Sequence, residues 1–555
     1  MAKTYSSRKP VAPRWPVTRY RSNPTVTFFT GLTGGYGQQR AARTLAAHPE
    51  NKIYGIVRRK ASGSIDARKD SWAKRVAHHR YIHEGDQAIY PTGVRPLTPK
   101  ELYDLNIAAL AENTLERSEF IEGDTTHENG RFGLSAIDFR NLASVITHAE
   151  NLAADITLYP PLDHALLRNF HSVEAFYALI QAAENLGPFQ LATHVSTAYV
   201  NGKLIKDDPI ILESKLFLEE ILGKVHLEDA IRDKKGINNF FGNYEYTKAL
   251  AELLLRKLNK LESDVLGQES LSSQRRSLVS RPAIWLGTVF MKLGQKIVEQ
   301  ASRRRPQEIE IQEEAVDRAQ VRGLPLTIAR PGQTLGHSLN GEIDDLKSVA
   351  YPAFKKLFTG DLPQLPVVKG KTRMAFVPID YVVSALDFLG RVASPDQVVG
   401  TTFHLTPDPG HYPLLDRDVV PKILEVYRKI FPDRNFPEPQ WVGHWNATRI
   451  INKEWEKAKD NINKQIQKRR RELIEKGNDV DSEEVNQKLN ELRARLEKSM
   501  DAQYYERRTV IDYTSGIGEF DTTSARRVLP PEMTPPLWQD YAEAIIRFAV
   551  ESDFK

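Results

Sequence analysis

The 555-residue chain contains no cysteine. That excludes disulfides, thiolate metal sites and any mechanism built on a cysteine nucleophile. Long apolar runs are missing as well: no window reaches the roughly 18 consecutive apolar residues that span a bilayer. Acid is missing from one place in particular. Residues 1–24 carry Lys3, Arg8, Lys9, Arg14, Arg19 and Arg21 and no Asp or Glu. Of the chain's 77 basic residues those six leave 71, against 72 acidic residues in all. The body is therefore nearly neutral and offers no basic stripe for nucleic acid. The arm, broken by Pro10, Pro13 and Pro16, is expected to be disordered. It lacks the apolar core of a signal peptide, and a short organelle transit peptide is the one targeting role it leaves open. The 14 histidines show no HExxH or paired ligand spacing, so no metal is expected. These exclusions describe a soluble protein, read as cytoplasmic.

What is present is a core-forming composition, 41% hydrophobic, in a chain long enough for two or three domain-sized units. Residues 25–60 run strand, glycine turn, helix, strand, with "TVTFF" and "IYGIV" as the strands. That is a parallel βαβ unit. Residues 61–120 are polar and mostly helical. "FIEGD" (120–124) and "ASVITHA" (143–149) read as further strands, and "FQLATHVSTAYVNG" (189–202) as another strand running into a loop, with long helices after the last two. The alternation predicts an α/β fold: a Rossmann-type doubly wound parallel sheet with a smaller substrate domain and an added helical hairpin.

Two segments, "SLVSRPAIWLGT" (277–288) and "LTIARPGQTLGH" (326–337), share a strand, Arg-Pro, Leu-Gly pattern. Either could be the next sheet strand: the shorter spacing from Lys248 favours the first, the stretch "GHSLNGEIDD" after the second Arg-Pro favours the second, and the second is taken. Between the two lies a charged, helix-prone insert, and its neighbour "AIWLGTVFMKLG" is a short apolar patch, read first as a core segment of this domain and second as a patch that could touch a membrane or a partner. Residues 450–503 carry two narrow apolar stripes, Ile451, Trp455, Ala458, Ile462 and Ile466, then Val485, Leu489, Leu492 and Leu496. Gly477-Asn478 separates them, so a charged helical hairpin is expected, either dimerising or packing on its own chain. The expected division is an arm (1–24), a dinucleotide-binding domain (25–325) with an insert near 257–325, mixed sheet strands and substrate domain (326–449), the hairpin (450–503) and a C-terminal substrate-side segment (504–555).

Three patterns carry chemistry. Gly31, Gly34 and Gly37 follow a strand and open a helix, which suits close approach of a pyrophosphate to a helix N-terminus. The competing reading is an ordinary tight turn. The second strand then runs into Arg58, Arg59 and Lys60, where an NAD enzyme would carry an acid. Cations there suit a 2′-phosphate and point to NADPH, unless they are a solvated charge run. Asp124 is placed for the adenine edge, or is a turn-forming Asp. In "FFGNYEYTKALAELLL" (240–255), Tyr244 and Lys248 lie four apart on one helical face. With Ser196 or Thr197 from "HVSTAYVNG" beside them they form a set that can reduce a carbonyl. The hydroxyl holds the oxygen, Tyr244 gives it a proton, and Lys248 steadies the phenol and binds the nicotinamide ribose.

These stretches, with "IEGDTT", "LLRNF", "ARPGQTLGHSLNGEIDD", "FVPIDYVVSALDFL" and the closing "FDTTSARRVLPPEMTPPLWQDYAEAIIRF", resemble the extended short-chain dehydrogenase/reductase superfamily, and within it the fatty acyl-CoA reductase and thioester reductase branch. The resemblance covers most of 25–440 and then 515–550. It implies a proton donor in Tyr244, a helper in Lys248, an oxygen holder in Thr197 or Ser196, and Asn169 completing the tetrad through a helix kink and water. It places Thr30, Gly31, Gly34, Tyr36, Gly37, Arg58, Arg59, Asp124, Lys248, Arg330 and Pro331 on the cofactor. The implied activity is NADPH-dependent reduction of a long-chain acyl thioester, on coenzyme A or a carrier protein, to aldehyde and in some members alcohol. A reductase, dehydratase or epimerase of a nucleotide sugar or ketone, and a non-catalytic cofactor-binding scaffold, are the alternatives. "THAENLAAD" departs from the family's compact turn, and Glu150 within it sits awkwardly for a site that takes a phosphate-rich cofactor.

Overall fold

A computed structural model describes residues 24–59, 65–84, 99–157, 160–206, 210–213, 237–269, 324–343, 350–361, 364–367, 369–475, 482–514 and 518–554, with isolated positions between 214 and 236. The basic arm, the first Arg-Pro segment and the apolar patch after it lie outside the described residues. In chain order the strands are β1 (Val26–Thr30), β2 (Lys52–Val57), β3 (Ser118–Glu122), β4 (His148–Asn151), β5 (Leu191–Val195), β6 (Ile210–Ile211), β7 (Leu326–Pro331), β8 (Gln333–Leu335), β9 (Gln364–Pro366), β10 (Phe376–Pro378), β11 (Thr402–Leu405), β12 (Gln440–Val442) and β13 (Glu519–Phe520).

Seven of them form one parallel sheet in the order β3-β2-β1-β4-β5-β7-β11. Helices cover both faces, which is why β5, β7 and β11 are buried from end to end. On one face Phe28 packs with Phe139, Phe176 and Leu250, from helices Ala136–Val145, Ser172–Leu186 and Asn243–Glu269. On the other, Phe29 packs with Leu45 of the first helix, Gly35–Ala47, and Trp72 of Ile65–Glu84. Helix Ile379–Arg391 completes that face beside β11. The chain reverses direction between β1 and β4, so their C-terminal ends part there and leave a crevice.

A smaller lobe pairs β8 with β10 and β9 with β12 and packs them under helices Ala350–Thr359, Val420–Ile430 and Trp538–Glu551. Tyr351, Phe354, Tyr427, Trp538 and Tyr541 fill its core. The C-terminal segment also returns to the large domain, where β13 pairs with β6.

The second Arg-Pro segment is the sheet strand β7. Two boundaries differ from the sequence reading. The apolar run 143–149 is split, because Leu142 and Ala143 finish a helix on the core and β4 begins only at His148. The hairpin is longer than 450–503, with helices His444–Glu475 and Glu483–Tyr513. Its stripes face one another: Ile451, Ile462, Ile466, Val485 and Leu489 are buried, and Trp455 stacks on Tyr504 with ring centroids 4.8 Å apart. Trp455, Ala458, Leu492 and Leu496 of the same stripes are half-buried.

Glu150 has an explanation in β4. Its carboxylate accepts from Arg40 Nε at 2.9 Å and from Arg40 Nη2. Arg40 Nη1 also donates to Asp387 at 2.8 Å, and Asp387 accepts from Arg43 at 3.3 Å and from Arg391. Three guanidinium groups and two carboxylates, all nearly water-free, thereby tie the first helix, β4 and helix Ile379–Arg391 together. Burial alone would raise the Asp387 carboxyl, yet Arg391, Arg40 and Arg43 hold it well below the usual range. Breaking a buried ion network leaves uncompensated charge, so Asp387→Ala should cost roughly 3–5 kcal/mol in urea unfolding at neutral pH. A folded-state carboxyl held low contributes stability that is present above its unfolded pKa and fades as pH falls, so the gap between wild type and variant should narrow in acid.

Candidate functional site

The crevice is floored by the β1 turn. Gly31 sits at φ +72°, and a Cβ there would come within 2.7 Å of the Ala153 amide after β4. A Cβ on Gly37 would lie 2.3 Å from the Gly31 carbonyl. The Gly34 amide donates to that carbonyl at 3.0 Å, closing the turn. Gly34 then caps the first helix without a side-chain hydrogen bond, and no acid occupies the first helical turn. Amides without a capping side chain, at the positive end of a helix dipole, beside backbone too close for any Cβ, fit a dinucleotide phosphate. The glycines alone therefore hold the pattern; a larger residue at 31 or 37 would fill the cradle.

Thr30 does not line that cradle. It is fully buried, its hydroxyl donates to Asn151 Oδ1 at 2.5 Å and accepts from the Ala153 amide at 3.2 Å. The Asn151 amide lies 3.0 Å from His194 Nδ1. These bonds pin the ends of β1, β4 and β5 to one another. His194 is neutral, held down to about 3 by burial and then by the nearby charge of Lys248.

Lys248 reaches the same point from the helix side. Its ammonium donates to the Val195 carbonyl, the last residue of β5, at 2.8 Å. Burial brings it down to about 8, opposed by the carboxylate of Glu252 one turn further on. Tyr244 stands one turn before it, half-buried at the start of the helix. Burial raises the Tyr244 phenol well above its ordinary value, and the charges acting on it most are Glu245 and Tyr36. Ser196 and Thr197 follow β5 directly and are both buried. The Thr197 hydroxyl accepts a long bond from the Tyr199 amide, 3.4 Å, so its own proton is directed elsewhere. The Ser196 hydroxyl lies near the Glu252 carboxylate, which it helps to hold low.

Asn169 lies on a π-helical segment, Leu166–His171, beside the same helix. Its Oδ1 accepts from the Asp155 amide at 2.7 Å, and its amide donates to Thr247 at 3.1 Å. It thus fixes the loop after β4 against the turn between Tyr244 and Lys248.

The remaining candidates separate. Arg58 and Arg59 are exposed at the end of β2, Arg59 in a loose 3.2 Å pair with Glu122. Asp124 forms a turn, its Oδ1 accepting from the Thr126 amide at 2.9 Å and hydroxyl at 2.7 Å. Tyr36, in the first turn of the first helix, bonds through its hydroxyl to Thr334 of the small lobe. Arg330 and Pro331 do not reach the crevice. Pro331 is buried against β11, and the fully buried guanidinium of Arg330 clamps Glu252 at 2.6, 3.0 and 3.2 Å. Its Nη1 donates to the Glu213 carbonyl at 3.2 Å. Against burial, which alone would raise it, Arg330 holds the Glu252 carboxyl down to about 2. His404 is a buried strand residue of β11, in keeping with its sequence context. Glu252 is the charged partner near Lys248 that the motif reading passes over, and its spacing of four from Lys248 is the available signal.

Comparison with known proteins agrees with this architecture. Residues 29–266 and 310–386, more than half of the chain, match the Male sterility protein family, whose domain binds NAD. A stretch of 88 residues is 40% identical to the non-canonical nonribosomal peptide synthetase FrzA of Cladobotryum sp; it covers 16% of this chain and 8% of that much longer protein. Among solved structures, the terminal R domain from the myxalamid PKS-NRPS biosynthetic pathway is similar with a TM-score of 0.53 at 15% identity, over 97% of this chain and 94% of that one. The reductase (R) domain of a nonribosomal peptide synthetase from Mycobacterium tuberculosis matches with a TM-score of 0.46 at 13% identity, over 99% and 94%. A glycine cradle at the sheet's reversal, with a tyrosine and a buried lysine across it, is thus found in a chain that belongs to the Male sterility protein family, NAD(P)-binding oxidoreductases of the extended short-chain dehydrogenase/reductase type.

Proposed function

We propose that the chain is an NADPH-dependent reductase of long-chain acyl thioesters, presented on coenzyme A or a carrier protein, giving aldehyde and by a second reduction alcohol. The observation that carries this reading is the placement of Tyr244 one helical turn from a buried ammonium bonded to the end of β5, where the two hydroxyls of Ser196 and Thr197 emerge. Gly31, Gly34 and Gly37 would hold the dinucleotide, and Arg58 and Arg59 would meet its 2′-phosphate. Bound there, NADPH supplies the hydride.

The side chains supply the rest. Thr197 or Ser196 donates to the carbonyl oxygen and fixes it. Tyr244, kept protonated by burial, gives that oxygen its proton as charge develops. Lys248 provides the positive charge one turn below. Collapse of the resulting adduct expels the thiol and leaves the aldehyde. Direct attack of this kind needs no acyl-enzyme, which agrees with a chain that has no cysteine. The local likeness to a peptide synthetase supports a carrier-tethered acyl group as one form of the substrate.

With palmitoyl-CoA and NADPH, Tyr244→Phe should lower kcat by about 10²- to 10⁴-fold while the protein stays folded. Full activity in that variant would overturn the assignment. If the Lys248 ammonium is required, kcat should be level in mild acid and fall as pH rises through about 8. Replacing Arg58 and Arg59 together by alanine should reduce the preference for NADPH over NADH by roughly tenfold or more, read from the two KM values.

A further inference from the structure

Helix His444–Glu475 of the hairpin presents two faces of opposite character. Ile451, Ile462 and Ile466 are buried on one of them. At about 100° per residue, Arg449, Lys453, Lys457, Lys464, Lys468 and Arg471 share a sector on the opposite side of the helix. All six are exposed. From 449 to 471 they form one row, about 33 Å long at a rise of about 1.5 Å per residue. Asp460 is the one acid in that sector between them, and Glu456 at its edge is taken by Lys459 at 3.3 Å.

The row is unpaired and local. The hairpin's ion pairs use other cations: Lys459 with Glu456, Arg469 with Glu472 and Arg493 with Glu497. Among the described residues, no carboxylate stands at ion-pair distance from any of the six. Helix Glu483–Tyr513 carries six basic and seven acidic residues, whereas His444–Glu475 carries nine basic and five acidic, so the excess belongs to the first helix alone. Like charges four apart on a helix repel one another, so the row weakens the helix that bears it unless an anionic surface lies against it.

The composition selects that surface. The middle of a protein–protein interface is depleted in charge and rich in aromatic residues, and the middle of this row is all charge. Four of the six are lysines, point charges without the fork that reads a fixed phosphate or carboxylate geometry. Such a row suits a diffuse, planar field of anions. Two exposed apolar side chains bracket it: Trp445, 72% exposed, before its first member, and Ile474, 53% exposed, after its last. Arg449 lies over the Trp445 ring at 5.3 Å. An indole beside cations is the pattern of a side chain seated among lipid headgroups.

We propose that this face of helix His444–Glu475 is a membrane-docking surface: its six cations lie along an anionic phospholipid leaflet, with Trp445 and Ile474 at headgroup level. Docking is peripheral, since among the described residues no helix is long and apolar enough to cross a membrane. It does not depend on the reaction assigned to the cleft, and its test reads no activity.

The test is flotation of the full chain with vesicles of phosphatidylcholine, alone or with about one-third phosphatidylserine, at low salt and at about 0.5 M salt. The chain should bind the anionic vesicles, ignore the neutral ones and be released by salt. Lys457→Gln/Lys464→Gln should weaken partitioning by about tenfold or more, because each cation at an anionic surface adds several-fold to binding. Lys488→Gln/Arg495→Gln on the second helix removes the same net charge and should stay within about twofold of wild type. The basic arm is a second source of charge, so a chain with Lys3, Arg8, Lys9, Arg14, Arg19 and Arg21 all replaced by glutamine is floated as well, and its remaining binding should still fall when Lys457 and Lys464 are changed. Circular dichroism and thermal melting show that each variant is folded; should the first pair not fold, Lys453→Gln/Lys468→Gln replaces it. No binding to anionic vesicles, equal binding to neutral ones, equal losses in the two double variants, or binding that vanishes with the arm's charges alone would each overturn the proposal. So would a chain that ignores vesicles and instead retains duplex DNA or polyglutamate through the same lysines.

Discussion

The site depends on keeping one ammonium charged without water. Lys248 is 2% exposed, and an isolated charge in such surroundings would shed its proton. The Val195 carbonyl at 2.8 Å supplies one partner and the Glu252 carboxylate supplies opposing charge. Glu252 is itself fully buried, so it needs Arg330. Arg330 also has no water, and it leans on the Glu213 carbonyl and on His404 at 3.3 Å. A single buried cation thus recruits groups from β5, β7, β11 and the turn at residue 213. Helix Asn243–Glu269 alone does not supply these partners, which is why the site needs the sheet behind it.

The same logic operates twice, on opposite faces of the sheet. Arg40, Glu150 and Asp387 join the first helix to β4 and to helix Ile379–Arg391. Lys248, Glu252 and Arg330 join the catalytic helix to β5 and β7. Buried ion pairs are a poor source of net stability but a demanding one of geometry, since a misplaced partner leaves charge unpaired. Glu213 carries the demand into the small lobe's return segment. Its carboxylate accepts from the His404 amide at 3.0 Å, the Ser524 amide at 2.6 Å and the Ala525 amide at 3.3 Å. The C-terminal segment of the chain is therefore bonded to a residue whose backbone also holds Arg330.

The range of the forces involved decides how much of this is legible in the sequence. β1, β2, β5 and β7 are legible because burial on both faces leaves an apolar run, and the glycine turn is legible because only glycine fits backbone contacts of 2.3 to 2.7 Å. The Tyr244–Lys248 pair is a local helical spacing. Charge partners are another matter. Glu150 looks misplaced in the sequence because Arg40 lies 110 positions away, and Arg330 looks like a cofactor contact because its partner Glu252 lies 78 away. An arginine ending a strand can turn to either face, and only the register that sets it beside His404 decides. Thr30 departs from its expected place on the cofactor for a similar reason: its bond to Asn151 spans 121 positions. The hairpin stripes show that an apolar face exists without showing that the other stripe covers it.

On the proposed function, the two shifted groups of helix Asn243–Glu269 have the sense that a reduction requires. A donor must keep its proton until an oxyanion forms, and Tyr244 is pushed up by burial, by Glu245 and by Tyr36. A reloading group must give its proton up readily, and Lys248 is brought down to about 8 by burial. Glu252 opposes the loss of the Lys248 proton that burial favours. Arg330 in turn opposes the protonation of Glu252 that burial favours. The Arg330 guanidinium keeps the carboxylate low and ionised, and the ionised carboxylate steadies the ammonium one turn above it. The long-range pair Glu252–Arg330 thereby acts on the helix turn that carries Tyr244 and Lys248.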